Sequence, residues 1–186
     1  MPDSQPTSLR SRHADNGVVT QMRIKFFTTG GTIDKVYFDA KSEFQVGPPQ
    51  VEEVVKEANV TFAYEIESIL QKDSLDMTDG DRQLIRQKVV AEPCPLVVVT
   101  HGTDTMVQTA QALLGIPQKT IVLTGSMQPA RFRSTDAVFN IGAAIGAVQS
   151  LSCGVYIVMN GQVFDPLRTR KNLQENRFEE SSPAQA

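Results

Sequence analysis

The sequence has two cysteines, two histidines and no long apolar run, and each scarcity removes a class of function. Cys94 and Cys153 lie far apart beside apolar segments. A disulfide framework is therefore excluded, and both read as reduced, buried thiols of a cytoplasmic protein. Neither has a CxxC partner, and of the two histidines His13 falls in an N-terminal tail. His101 alone cannot build the usual zinc sites, so no metal is expected. In THGTD it stands between an apolar strand and a tight glycine turn, where a hydrogen-bonded structural role is expected. No stretch is long and apolar enough to span a bilayer, and residues 1–21 lack the apolar core of a signal peptide. They read as a disordered tail, and a membrane partner is excluded. A formal charge of -3 supplies no basic face for nucleic acid. Neither GxGxxG nor GxxxxGK[ST] occurs, so a nucleotide site would rest on fold analogy alone.

What is present alternates. Its length suits one domain with a real core, taken as 22–177, followed by a polar, disordered tail over 178–186. Strands are predicted over 23–27 (RIKFF), 61–67 (TFAYEIE), 96–100 (LVVVT), 120–124 (TIVLT) and 154–159 (GVYIVM). Helices are predicted over 51–58, from a cap at Thr78 or Asp79 to Ala91, after HGTD, and over 137–148. The helix after HGTD presents Met106, Val107, Ala110, Leu113 and Leu114 on one face. The last helix presents Val138, Ile141, Ala144, Ile145 and Val148. Residues 35–49 mix aromatic, charged and Gly/Pro residues without a period and read as a loop or loose hairpin. Three strands are apolar on both faces, the pattern of a parallel sheet covered on both sides. The expected fold is a three-layer, mostly parallel α/β sandwich of the Rossmann or flavodoxin-like kind.

In such sheets ligands bind outside the carboxyl ends of the strands. The segments there are TTGGTID, DSLDMTD, HGTD, GSMQP and NGQVFDP, all rich in hydroxyl, carboxylate or glycine. With no histidine to spare, an enzyme built on these loops must activate a hydroxyl otherwise. That points to a threonine nucleophile with Lys, Tyr or Asp accepting its proton.

TTGGTID and VVVTHGTDTM resemble the two signature motifs of the L-asparaginase/glutaminase family, the bacterial threonine-nucleophile amidohydrolases. DSLDM, TGSMQP, VMNGQVFD and RTRKN follow in the family's order, so the resemblance covers about residues 23–173. It implies Thr32 as nucleophile, attacking a side-chain amide carbon to form an acyl-enzyme. Thr103, Asp104 and Lys171 match a Thr-Lys-Asp relay. Asp104 also matches the holder of the substrate's α-ammonium group, and Ser74 the serine that grips its carboxylate. Backbone N–H groups at Gly31 and Thr103 would form the oxyanion hole, with Gly31 and Gly102 lining the substrate. The implied reaction converts L-asparagine to aspartate and ammonia, with minor glutaminase activity and no cofactor. A homo-oligomer with a small-molecule substrate is the implied assembly.

Three departures from the family pattern stand out. The tyrosine expected before V-G in the downstream loop is Phe44, which leaves Tyr37 to deliver the hydroxyl. The glutamine after the carboxylate-binding serine is Leu75. The chain also stops where familiar members continue into a C-terminal domain. These favour an alternative, an amino-acid-binding or interaction module on the same fold with impaired turnover.

Overall fold

In a computed structural model of the protein, residues 21–38 and 43–181 are described. The described residues form a six-stranded sheet in the order β4-β1-β5-β6-β7-β8. Its strands are β1 (Arg23–Gly30), β4 (Ala63–Lys72), β5 (Leu96–Thr100), β6 (Thr120–Thr124), β7 (Gly154–Met159) and β8 (Gln162–Phe164). The first five pair in parallel, and β8 folds back antiparallel on β7. Two hairpins stand apart from the sheet, β2 (Lys35–Phe38) with β3 (Glu43–Val46), and β9 (Thr169–Asn172) with β10 (Arg177–Glu180).

Strand periodicity assigns the two faces. Phe27, Val97, Val99, Ile121, Leu123 and Ile157 pack on one side with α2 (Asp79–Ala91) and α3 (Met106–Ala112). Ile24, Phe26, Val98, Val122 and Val158 pack on the other with α1 (Val51–Glu57) and α4 (Ala137–Ser150). Successive residues of β5, β6 and β7 thus enter opposite cores, which is why these strands read as largely unbroken apolar runs. The expected three-layer α/β fold is the observed one. Among the described residues no helix is long and apolar enough to cross a membrane.

Several details differ from the sequence reading. The α4 core face is Ala137, Asn140, Ile141, Ala144 and Val148, while Val138 is 53% exposed. The 3.6-residue period admits either neighbouring stripe, and Asn140 wins a core position because its amide is fully bonded. Its Nδ2 donates to Gly125 O at 3.0 Å and to Asp136 Oδ2 at 2.8 Å, and its Oδ1 accepts from Asn160 N. Cys153 is exposed, and only Cys94 is buried; both are free thiols. The tail expected from 178 begins later. Arg177–Glu180 forms β10, with Phe178 only 3% exposed and stacked 6.4 Å from Phe164. Its buried aromatic, the ladder to β9 and the bond from Phe178 N to Asn160 Oδ1 dock it. Residues 35–49 do form a hairpin, β2–β3. The expected N-terminal tail, Gln21 apart, lies outside the described residues.

Candidate active site

The loops at the carboxyl ends of β1, β4 and β5 are drawn together by glycine. Gly31 takes φ 87° and ψ -171°, a conformation strained for any residue with a side chain. A Cβ there would land on the backbone of Gly102. A Cβ on Gly102 would in turn stand 2.6 Å from both Cβ and Oγ of Ser74. TTGGT and HGTD therefore meet backbone to backbone, with the Ser74 side chain of DSLDM packed directly on Gly102, and glycine at 31 and 102 is what leaves room for both contacts. Thr105 adds a bond from its hydroxyl to Ser74 O at 2.7 Å, and Thr29 Oγ1 donates to Thr100 O at 3.0 Å.

Thr32 opens a short 3-10 turn, Thr32–Asp34, directly after Gly31, and is half-buried. Ser74 opens the matching turn after β4, Ser74–Asp76, and is almost fully buried. Asp73 caps that turn by accepting from Leu75 N. Lys171 reaches in from β9. Its ammonium donates to Thr103 Oγ1 at 2.7 Å and to Asp104 Oδ1 at 2.7 Å. Thr103 is buried, and the lysine side chain is mostly so. A Thr–Lys–Asp chain of charge-assisted bonds is thus assembled from residues 67 and 68 positions apart. A cavity of about 280 Å³ opens beside it, lined by Val107, Gln108, Thr169 and Leu173 among others. A larger one of about 510 Å³ lies elsewhere, between α1 and the segment around Arg131.

One expected donor is corrected. Gly31 N–H donates to Lys72 O at 2.9 Å, so it is committed within the fold and is not presented to a ligand. The requirement for glycine at 31 comes from close packing on Gly102 instead. His101 has the expected structural role. It is wholly buried, and Gly102 O sits 2.7 Å from Nδ1 while Thr109 Oγ1 sits 2.8 Å from Nε2. A carbonyl only accepts, so Nδ1 carries the proton and Nε2 accepts from the threonine. Burial pushes the imidazole down to about 4, and the neighbouring Arg82 charge adds to this; the Gly102 carbonyl opposes it. His101 is neutral at physiological pH and already bonded at both nitrogens.

The buried Thr28 hydroxyl has no hydrogen-bond partner among the described residues. Tyr37 and Phe44 are register partners across β2–β3, and their side chains lie outside the described residues. Leu75 is 72% exposed beside Ser74. Two residues were missed in the sequence. Asp136 anchors the GSMQP loop, accepting from Met127 N at 2.9 Å and Gln128 N at 3.0 Å. Asp34 is buried, and loss of hydration pushes its carboxyl up to about 7 against the opposing bond from Gln50 N. Its place at the end of TTGGTID was visible, but nothing local signals that a turn aspartate will be enclosed. Among the described residues no cluster of metal-binding side chains occurs.

The family model described as Asparaginase, N-terminal, matches residues 23–183 of this chain. Over 158 residues the chain is 35% identical to L-asparaginase 2 of Escherichia coli, covering 76% of this chain and 44% of that protein. Over 125 residues it is 34% identical to the glutaminase-asparaginase of Acinetobacter glutaminasificans, covering 62% of this chain and 36% of that one. Among solved structures, the thermostable L-asparaginase of Thermococcus kodakarensis superposes with a TM-score of 0.75 at 26% identity, covering 86% of this chain and 51% of that chain. The chain spans about half the length, or less, of these relatives.

Proposed function

We propose that this chain, which belongs to the asparaginase family, hydrolyses the side-chain amide of L-asparagine to aspartate and ammonia, with Thr32 as nucleophile. The observation that carries this reading is the Lys171 ammonium held between Thr103 and Asp104, at 2.7 Å from each. A threonine hydroxyl is a weak nucleophile and needs a neighbouring group to take its proton. The Thr103–Lys171–Asp104 chain can take it on: as Thr103 Oγ1 passes a proton to Lys171 Nζ, the ammonium gives one of its own to Asp104 Oδ1. Thr103 and Asp104 sit on the loop whose Gly102 packs against Gly31, next to Thr32. Asp104, exposed at the relay's outer end, holds the α-ammonium of the substrate. Ser74, packed on Gly102, holds the α-carboxylate. Thr32 Oγ1 attacks the amide carbon, the proton it gave up returns to the amide nitrogen, the C–N bond breaks and ammonia leaves. Water then hydrolyses the ester to release aspartate and restore the Thr32 hydroxyl. Thr103 N–H serves the oxyanion, and donors of this kind contribute about 3–4 kcal/mol to acyl transfer.

The deciding experiment measures ammonia release from L-asparagine, and separately from L-glutamine, by the purified protein and by Thr32→Ala. Release by the wild type with at least about a hundredfold loss in the variant is expected. Equal, negligible release by both removes the enzyme reading. A binding module without turnover is the second reading, favoured by Leu75, which places an exposed leucine beside Ser74. Under that reading, aspartate or asparagine binds by calorimetry while no ammonia appears.

A further inference from the structure

Asp34 stands where two distant segments join the Thr32 turn. Its own N–H donates to Gly31 O at 3.1 Å, closing the turn. Its carbonyl accepts from Gly47 N at 2.8 Å, and its Oδ1 accepts from Gln50 N at 2.8 Å. The preceding carbonyl, Ile33 O, accepts from Ala130 N at 3.1 Å, which ties in the GSMQPAR loop. Gln50 is itself held, its amide donating to Pro48 O at 2.7 Å and its Oε1 accepting from Arg131 Nε at 2.9 Å. A Cβ on Gly47 would stand 3.1 Å from both Val36 methyls and 3.3 Å from Asp34 O, so this junction has little slack.

We propose that Asp34 is a positioning residue for Thr32, its buried carboxyl group fixing the nucleophile's turn against the 47–50 segment. Asp34 touches no substrate; it acts through the short turn between its own backbone and the threonine. Displacement of a reacting group by about 1 Å can cost on the order of a hundredfold in rate, so a loose turn would be felt in kcat. Ser74 and Asp104, proposed to hold the substrate, sit on other loops and would keep KM nearly unchanged.

The carboxyl group also makes this junction sensitive to pH. Charged groups on the elements packed around it do not neutralise it. Lys35 on β2 pairs with Asp73 at 2.6 Å, Arg131 is spent on Gln50, and Glu52 and Glu53 on α1 are themselves acidic. Enclosure dominates and the single Gln50 N–H opposes it. As the carboxyl ionises, its enclosed charge is relieved by admitting water between Asp34 and the 47–50 segment.

Two measurements test this, and only the kinetic one rests on the amidohydrolase reading. The protection factor of the Gln50 amide against hydrogen exchange is followed from pH 6 to 8 in the wild type and in Asp34→Asn. Protection is expected to fall across pH 7 in the wild type and to stay level in Asp34→Asn, whose amide oxygen still accepts from Gln50. In kinetics, Asp34→Asn is expected to keep kcat within about threefold, while Asp34→Ala loses about tenfold or more with KM changed less than about threefold. Level protection in the wild type, or wild-type kcat in Asp34→Ala, overturns the proposal. If the protein releases no ammonia at all, the exchange measurement still decides whether the Asp34 carboxyl holds the 47–50 segment, while the positioning of Thr32 falls with the amidohydrolase reading.

Discussion

Lys171 Nζ and Thr103 Oγ1 are 2.7 Å apart, although the residues are separated by 68 positions. Thr103 lies on the turn after β5, and Lys171 on a hairpin outside the main sheet. This contact therefore depends on how the C-terminal hairpin docks. If Thr103 and Lys171 act as one unit, Thr103→Val and Lys171→Met should each lower kcat on L-asparagine by about 10²–10⁴-fold. The double variant should fall no more than about tenfold below the weaker single. Steady-state ammonia release on all four proteins measures this; fully multiplicative losses would separate the two residues.

Phe178 governs that docking. It is the register partner of Lys171 across β9–β10, so both point to the same side of the hairpin. Its ring packs on Phe164, and its N–H donates to Asn160 Oδ1 at 2.9 Å. Phe178→Ala should cost about 3–5 kcal/mol of stability, the usual range for a buried aromatic. Urea unfolding gives that figure. Activity assayed well below the transition should fall too, because the lysine is displaced.

The glycines divide cleanly into two kinds. Gly102→Ala drives a methyl into Ser74 and should abolish activity or folding. Gly142 lies exposed in the interior of α4, with nothing within 4 Å of a new Cβ. Gly142→Ala should therefore raise stability by about 0.5–1 kcal/mol and leave kinetics untouched. A thermal melt distinguishes the pair.

Two buried groups should shape stability against pH in opposite directions. Asp34 is raised from 3.8 to about 7 by burial. The folded state thus holds its proton more tightly; that stability is present below about pH 4 and lost as pH rises through 7. His101 is lowered from 6.5 to about 4. Its contribution is present above 6.5 and lost as pH falls through 4. Each shift corresponds to an upper bound of about 3–4 kcal/mol, with opposing slopes between about pH 4 and 6.5. Asp34→Asn should unmask a stability that climbs through that window. Denaturant titrations at several pH values read it directly; a flat profile in the variant would refute the assignment.

Tyr37 and Phe44 face each other in register on β2–β3. If Tyr37 supplies the hydroxyl that position 44 lacks, Tyr37→Phe should cut turnover by about a hundredfold or more. Phe44→Tyr in the Tyr37→Phe background should then restore part of it. Near-normal activity of Tyr37→Phe would assign the proton transfer to the Lys171 relay alone.

Local sequence determined the alternation of strands and helices, because short β-branched runs apolar at both parities and bounded by turn residues fit strands covered on two sides. It also determined the rim of loops that carries Thr32, Ser74, Thr103 and Asp104, since parallel strands place their carboxyl ends together. Tertiary structure decided what local pattern leaves open. Lys171 stands in a basic RTRK run that locally reads as a solvated face, and the docked hairpin, with Phe178 buried opposite it in register, brings it inward. Gly31 could be read as a donor to a ligand until Lys72 O claimed its N–H. Asp34 became a buried acid because the 47–50 segment and the loop around Ala130 closed over its turn. Periodicity reports which residues want burial, whereas the partners of a particular N–H, carboxyl or ammonium depend on contacts across tens of residues.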